Sequence, residues 1–368
     1  MWLRVARLLS AIVLMVLVQA SVRAANSIQQ TDIRPQGYGM HAAGGTIPCH
    51  VSHEAELYGC LKHGGTYTVV DTAISVDPGK GRIYFAPDTT LDGRGLLTIT
   101  PSIYGLDIGV PNVIVRNVFF RLPGKPKISC ISFKVPGQTV TCALGIHIWG
   151  HAENIWIDHN TFDCGNKCLN VLDNADGSGD PDAITISDNI FRNSFFGIGI
   201  TAAGTAVTLP TPHHVTLYGN LFDHIFRRQP RVAEGYQVHV FNNYYSGPRC
   251  FGQGIGLGPG PGFGPSVEAD GEMLFENNVA DFQSCGSHID NSDYVPVPGT
   301  GVPRGHGKID ARGNIGFVSD TDSGRNKIPG IRKDRDALGF KPNYRYRLLE
   351  ADQVKASVLM NAGVQSGN

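Results

Sequence analysis

What this sequence lacks narrows the field first. Neither sign of charge dominates: 31 Lys and Arg stand against 32 Asp and Glu, a formal charge of −1 over 368 residues. A chain this balanced has no global pull on a polyanion, so a nucleic-acid partner is not expected, and an anionic ligand must meet a local basic patch. After residue 25 no apolar run is long enough to cross a bilayer. The pair Cys164-x-x-x-Cys168 is followed by no second Cys/His pair at zinc-site spacing, which counts against a structural zinc. Long stretches of helical periodicity are missing too, and with them the helix–strand alternation of a doubly wound α/β fold.

What is present begins with Arg4 and Arg7, an apolar run from Leu8 to Val18, and small residues around Ser21-Val22-Arg23-Ala24. That order reads as a secretory signal peptide over residues 1–24, with an uncleaved anchor as the alternative. The expected product is one exported domain, residues 25–368, extracellular and free of the membrane. Cleavage removes three arginines and no acid, moving the formal charge from −1 to −4. All eight cysteines follow that point: Cys49, Cys60, Cys130, Cys142, Cys164, Cys168, Cys250 and Cys285. An even number in an exported chain points to disulfides. Sequential pairing (Cys49–Cys60, Cys130–Cys142, Cys164–Cys168, Cys250–Cys285) would staple local loops, although spacing does not fix connectivity.

One motif recurs: an Asn with apolar or strand-forming residues three and five positions before it and an aromatic two after. It reads Ile155-x-Ile157-x-x-Asn160-x-Phe162, then Ile184-x-Ile186-x-x-Asn189-x-Phe191, Val215-x-Leu217-x-x-Asn220-x-Phe222 and Val238-x-Val240-x-x-Asn243-x-Tyr245. Weaker copies centre on Asn117, with Ile114 and Phe119, on Asn278 and on Asn314. The period-two alternation is that of strands. Asn tolerates left-handed backbone angles, which suits a sharp bend between short strands, and a bend residue on every coil could stack its amides into a ladder. Units of this length cannot bury their own apolar face and must stack on neighbours. The expected architecture is a solenoid of parallel strands whose uneven spacing is absorbed by loops on one side. A β-sandwich with chance Asn turns is the alternative, but its hairpins would show shorter, more even spacing. Residues 25–90 are expected to cap one end and 320–368 to cover the other. Gly252–Pro265 reads as a long loop of the kind that carries function.

These residues resemble family 1 of the polysaccharide lyases, the pectate and pectin lyases. Gly37-Tyr38-Gly39 with Gly44-Gly45 is similar to that family's glycine-rich opening segment, and Thr90-Leu91-Asp92-Gly93-Arg94-Gly95 and Asn112-Val113-Ile114-Val115-Arg116-Asn117 to its early coils. Asn154-Ile155-Trp156-Ile157-Asp158-His159 resembles its WIDH signature. Arg228-Gln229-Pro230-Arg231 with His239 and Asn242-Asn243 resembles its R-x-P-R…H-x-x-N-N segment. The resemblance implies an all-β, single-stranded right-handed parallel β-helix, a pectin-lyase-like solenoid with N- and C-terminal capping segments, acting as a monomer on pectic polysaccharide.

In a polymer of galacturonic acid the C5 proton is α to the carboxyl carbon. A base that removes it builds charge on the carboxyl oxygens and lets the C4–O4 bond break, so such a site needs a base over C5 and positive charge near the carboxyl group. The resemblance implies that the base is the arginine of R-x-P, here Arg228. The arginine pKa, ordinarily above about 12, must be lowered for that role; Arg227 and Arg231 stand beside it to lower it and to bind substrate. The alternative for Arg228 is a bidentate pair with a carboxylate on the next coil. Asp158 and His159 are read as polar groups satisfying a loop backbone, and Trp156 as packing.

The sequence departs from the pectate-lyase pattern where calcium should bind. The family's D-x-I aspartate falls on Gly145, and its two acids four apart on the next coil fall on Asn166 and Asn170. Two amides and a glycine make poor calcium ligands, so calcium is implied by the family but weakly supported by these residues. Asp173, Asp176, Asp180 and Asp182 could form a displaced site or a solvated turn. The family's lysine falls on Phe196 and its second substrate arginine on Ala233. A methyl-esterified substrate has no carboxylate charge to neutralise, and Phe195 and Phe196 would suit its ester methyl. A pectin-lyase-like preference therefore stands beside an altered pectate lyase. Two other classes compete: a polygalacturonase-type hydrolase, hinted at by Gly305-His306-Gly307, and a non-catalytic carbohydrate-binding β-helix.

Overall fold

The apolar residues of successive motifs lie over one another. Ile155 and Ile157 pair with Ile184 and Ile186, these with Val215 and Leu217, and so on through Val238/Val240, Met273/Phe275 and Ile309/Ala311. The computed structural model describes residues 35–79, 81–102, 105–122, 143–173, 179, 181–202, 212–247, 264–268, 270–281, 288–289, 307–319 and 337–365, and those from Gln36 onward belong to one unit. Among them, 21 strands join in a single sheet whose named strand pairs are all parallel. Inward side chains form one continuous core from Val51 to Ile309. This is a parallel β-helix, as expected. The segment read as a signal peptide, residues 1–24, lies outside the described residues.

The amide ladder is present. Asn160, Asn189, Asn220, Asn243 and Asn278 each donate Nδ2 to the next Oδ1, at 3.1, 3.1, 2.9, 3.0 and 3.1 Å, and the series ends on Asn314. The same Oδ1 atoms accept the backbone N–H of the preceding ladder residue. Two positions on, Phe120, Phe162, Phe191, Phe222 and Tyr245 stack with ring centroids 4.6, 4.8, 5.2 and 4.9 Å apart. Two details differ from the sequence reading. The left-handed residue is the one before each ladder asparagine: His159, Asp188, Gly219, Asn242, Asn277 and Gly313 have φ of 51°, 50°, 67°, 53°, 47° and 64°. The backbone reverses there, leaving the next residue to turn its amide inward. Asn117 is accordingly such a bend residue (φ 56°) and not a ladder member. Val118 occupies the ladder position, donating its N–H to Asn160 Oδ1 at 3.1 Å, which brings Phe120 rather than Phe119 into the stack.

The helix Glu54–Leu61 buries Leu57, Cys60 and Leu61 against the first coils and is tied down by the Cys49–Cys60 disulfide. The proposed Cys164–Cys168 bridge is overturned: both are free thiols, fully buried in the core, and behave as small apolar residues. The other four cysteines lie outside the described residues. The described C-terminal residues, 337–365, run along a flank of the solenoid. Tyr344 Oη shares a hydrogen bond with Thr216 Oγ1 (2.8 Å), and Asn242 and Asn277 donate to Arg347 O and Leu349 O (2.8 Å each). The helix Ala351–Asn361 then packs Val354 and Val358 on Tyr244. Replacing Asn220 with Leu is expected to lower unfolding stability by about 1–3 kcal/mol, because it orphans amides on both sides. Denaturant unfolding should show a smaller loss for Asn314→Leu, at the ladder's last rung.

Candidate functional site

The strand Leu221–Arg227 runs into a turn at Arg228, whose φ of 62° is left-handed. A non-glycine residue held there is uncommon and recurs at functional sites. The turn is anchored from both sides: Gln229 Nε2 donates to Ile225 O (2.9 Å), and Ile198 N–H donates to Arg228 O (2.7 Å). Gly197 is required beneath it, since a Cβ would lie 2.6 Å from Arg228 O.

The Arg228 guanidinium folds back over the sheet. Its central carbon sits 4.2 Å from the centroid of Phe196. Nη1 passes over Gly199, where a Cβ would lie 3.3 Å from that nitrogen and 3.0 Å from Asn170 Oδ1. Register supplies the neighbours: Lys167, Phe196 and Arg227 are successive partners, as are His147, Asn170, Gly199 and Arg231. Among the described residues, neither Arg228 nor Lys167 has a side-chain hydrogen bond or ion pair. The carboxylate pair considered for Arg228 belongs to Arg231, which donates Nε and Nη2 to Glu268 at 3.1 and 2.8 Å. Arg227 lies over Phe226, 5.4 Å from its centroid. Burial pushes the Arg228 pKa down to about 10; Arg231 and Arg227 add to the effect and Glu268 opposes it. Burial also lowers Lys167, helped by Arg228, and lowers His147 against the pull of Asp107.

The positions aligned with calcium ligands do not converge. Gly145 faces the interior, where a Cβ would lie 2.6 Å from Cys168 O and 3.1 Å from the Phe162 ring, and Asn166 is fully buried. Of the three, Asn170 reaches the Arg228 face. The nearby carboxylates among the described residues are engaged: Asp107 with Arg82 (2.7 Å) and Trp149 Nε1, Glu268 with Arg231, and Glu234 with Thr201. Asp182 accepts from His214 N at 2.6 Å, Asp173 ends the strand Thr161–Asp173, and Asp176 and Asp180 lie outside the described residues. Ala233 is fully buried and offers no substrate arginine. The described donors on this face do not fit calcium.

An acidic cluster does form at the bend, where Asp158, His159 and Asp188 bring ligand atoms within 4.8 Å of one another. Asp158 there accepts from Ser187 Oγ (2.5 Å) and bonds His159 Nδ1 (2.6 Å), while Trp156 Nε1 donates to Ser187 Oγ (2.8 Å). Trp156 is buried, as the packing reading has it, whereas Asp158 and His159 bond side chains and not the loop backbone expected for them. Burial and Asp158 push the Asp188 carboxyl up to about 7.

Residues 88–367 match the family described as Pectate lyase. The chain belongs to the pectate lyase family. It is 32% identical over 200 residues to the pectate lyase of Bacillus subtilis (strain 168), covering 46% of this chain and 44% of that one. Against Pectate lyase A of Dickeya chrysanthemi it is 28% identical over 187 residues, 46% of each. The matched stretch thus spans under half of either relative. Among solved structures, jun a 1, the major allergen from cedar pollen, matches with TM-score 0.63 at 18% identity, covering 90% of this chain and 93% of that one. A pectate lyase bound to a hexasaccharide matches with TM-score 0.59 at 15% identity, covering 90% and 97%. At such identities the likeness is one of fold.

Sequence reasoning passed over Lys167, His147, Gly199 and Glu268, although the ladder spacing carried forward from Lys167 lands on Phe196. Chelation with EDTA is expected to leave turnover of highly methyl-esterified pectin mostly intact, read as near-ultraviolet absorbance of unsaturated product. Complete loss restored by calcium would instead point to ligands in the acidic stretch from Asp173 to Asp182.

Proposed function

We propose that this chain cleaves α-1,4-linked galacturonan by β-elimination, with Arg228 as the proton-abstracting base. The observation that carries this reading is the Arg228 guanidinium itself: buried, shifted down to about 10, and engaged by no carboxylate among the described residues. A guanidinium so placed spends a usable fraction of time neutral at alkaline pH. Its nitrogen takes the C5 proton; the C5–H electron pair becomes the C4=C5 double bond as C4–O4 breaks. The leaving oxygen, still attached to C1 of the next sugar, takes a proton from water. Membership of the pectate lyase family supports the same chemistry. A hydrolase reading finds no pair of free carboxylates on this face among the described residues. In this reading the protein is secreted after loss of residues 1–24 and acts as a monomer. No helix among the described residues is long and apolar enough to cross a membrane.

The test is product analysis on pectins of graded methylation, with wild type and Arg228→Lys. Lysine keeps the charge but loses the planar fork that reaches over Gly199. The variant should lose about 10²–10⁴ in rate while its melting temperature stays near wild type. The base works deprotonated, so wild-type kcat/KM should rise about tenfold per pH unit and level off near pH 10. A folded, active Arg228→Lys enzyme, or a pH profile flat up to 10, ends the mechanism.

A further inference from the structure

We infer that Lys167 holds the carboxylate of the sugar being cleaved, so that the chain takes free uronate directly on a lysine, without a metal bridge. This rests on the elimination reading above and extends it to substrate charge. Lys167 lies on the strand Thr161–Asp173, directly in register with Phe196, the ring under the Arg228 guanidinium. The position that family resemblance gives to a lysine is thus aromatic here, and an ammonium comes from the same row one coil earlier.

The surroundings of Lys167 select an anion. It is half-buried, has no ion pair or hydrogen bond among the described residues, and its electrostatic neighbours are Arg228 and His147. A partly desolvated ammonium beside a second cation is costly unless a counter-ion arrives. The described carboxylates on this face are engaged by Arg82, Trp149, Arg231 and Thr201. A ligand carboxylate supplies that counter-ion. A uronate fits because its carboxyl carbon is bonded to C5: anchoring the carboxylate on Lys167 brings C5–H beside Arg228. The ammonium then meets the charge that grows on those oxygens during proton removal. A methyl ester would leave Lys167 uncompensated. Phe196 is a poor methyl pocket because the guanidinium already covers its face.

The experiment compares wild type, Lys167→Met and Lys167→Arg on fully de-esterified polygalacturonate and on highly methyl-esterified pectin, both in EDTA. Wild type should cleave polygalacturonate without calcium. Lys167→Met should lose about tenfold to a hundredfold in kcat/KM on polygalacturonate, the worth of a charge-assisted hydrogen bond, and much less on the ester. Lys167→Arg should recover part of the loss. The melting temperature of Lys167→Met should hold or rise, since an unpaired cation has been removed; a structural lysine would lower it. Equal losses on both substrates, or a wild-type enzyme that needs calcium for polygalacturonate, overturn the inference. Calorimetric binding of de-esterified oligogalacturonate separates the two levels. Weakening by Lys167→Met supports the carboxylate site whatever Arg228→Lys does to turnover, and unchanged binding overturns it.

Discussion

Everything at this site depends on a column of buried amides. A primary amide inside the solenoid must satisfy two donors and an acceptor away from water, and here the next coil's asparagine completes the set. That requirement admits one register. Sliding a coil by one residue would unpair its rungs to both neighbours and turn its apolar side chains outward. Once register is fixed, all rows stack: phenylalanines over phenylalanines inside, and Lys167, Phe196 and Arg227 outside. The polar face is thus assembled from residues 29 and 31 apart, the same separations that join Asn160, Asn189 and Asn220.

Arg228, the base in the proposed elimination, sits where that regularity gives way. Phe196 and Arg227 keep the 31-residue step of the ladder, but Gly199 pairs with Arg231, 32 positions on. One residue has been inserted between two matched rows, and Arg228 lies in that interval in the left-handed conformation. An inserted residue is not bound to alternate in and out with its strand, so its side chain can fold back across the sheet. Two glycines make room, Gly197 for its carbonyl and Gly199 for its guanidinium. Rigid coils on either side hold the strained turn in place.

The fold was legible because its rule is local: alternation within a strand, an amide at the bend, an aromatic two residues later. The left-handed residue was misplaced by one position because tolerance of that backbone was credited to the asparagine, whereas His159 and Asp188 adopt it too. Phe196 was picked out from the sequence, but not Lys167 beside it, because the family pattern marks a position and not a row. Gly145 was aligned as a ligand, and alternation would put it on the outer face with His147 two residues on, but a Cβ there would point into the core, so the alternation breaks at the start of that strand. The stretch before it, 123–142, breaks the count from earlier coils. The Arg231–Glu268 pair spans 37 positions across the glycine-rich stretch of the sequence, where no repeat carries the register.

In the proposed elimination, that pair also shapes the electrostatics of proton removal. Arg231 unpaired would compete for the substrate anion and push Arg228 lower still; bound to Glu268, it leaves Lys167 as the cation beside Arg228 with no carboxylate among the described residues. The distinction matters because a substrate carboxylate works against its own base: an anion beside Arg228 stabilises the protonated guanidinium and raises its pKa. A cation already on that carboxylate offsets the rise. Base and counter-charge must therefore be separate groups, close enough to act on adjoining atoms of one sugar. Successive coils in register supply that arrangement, with Lys167 and Arg228 on the coils either side of the one that holds Phe196 and Gly199.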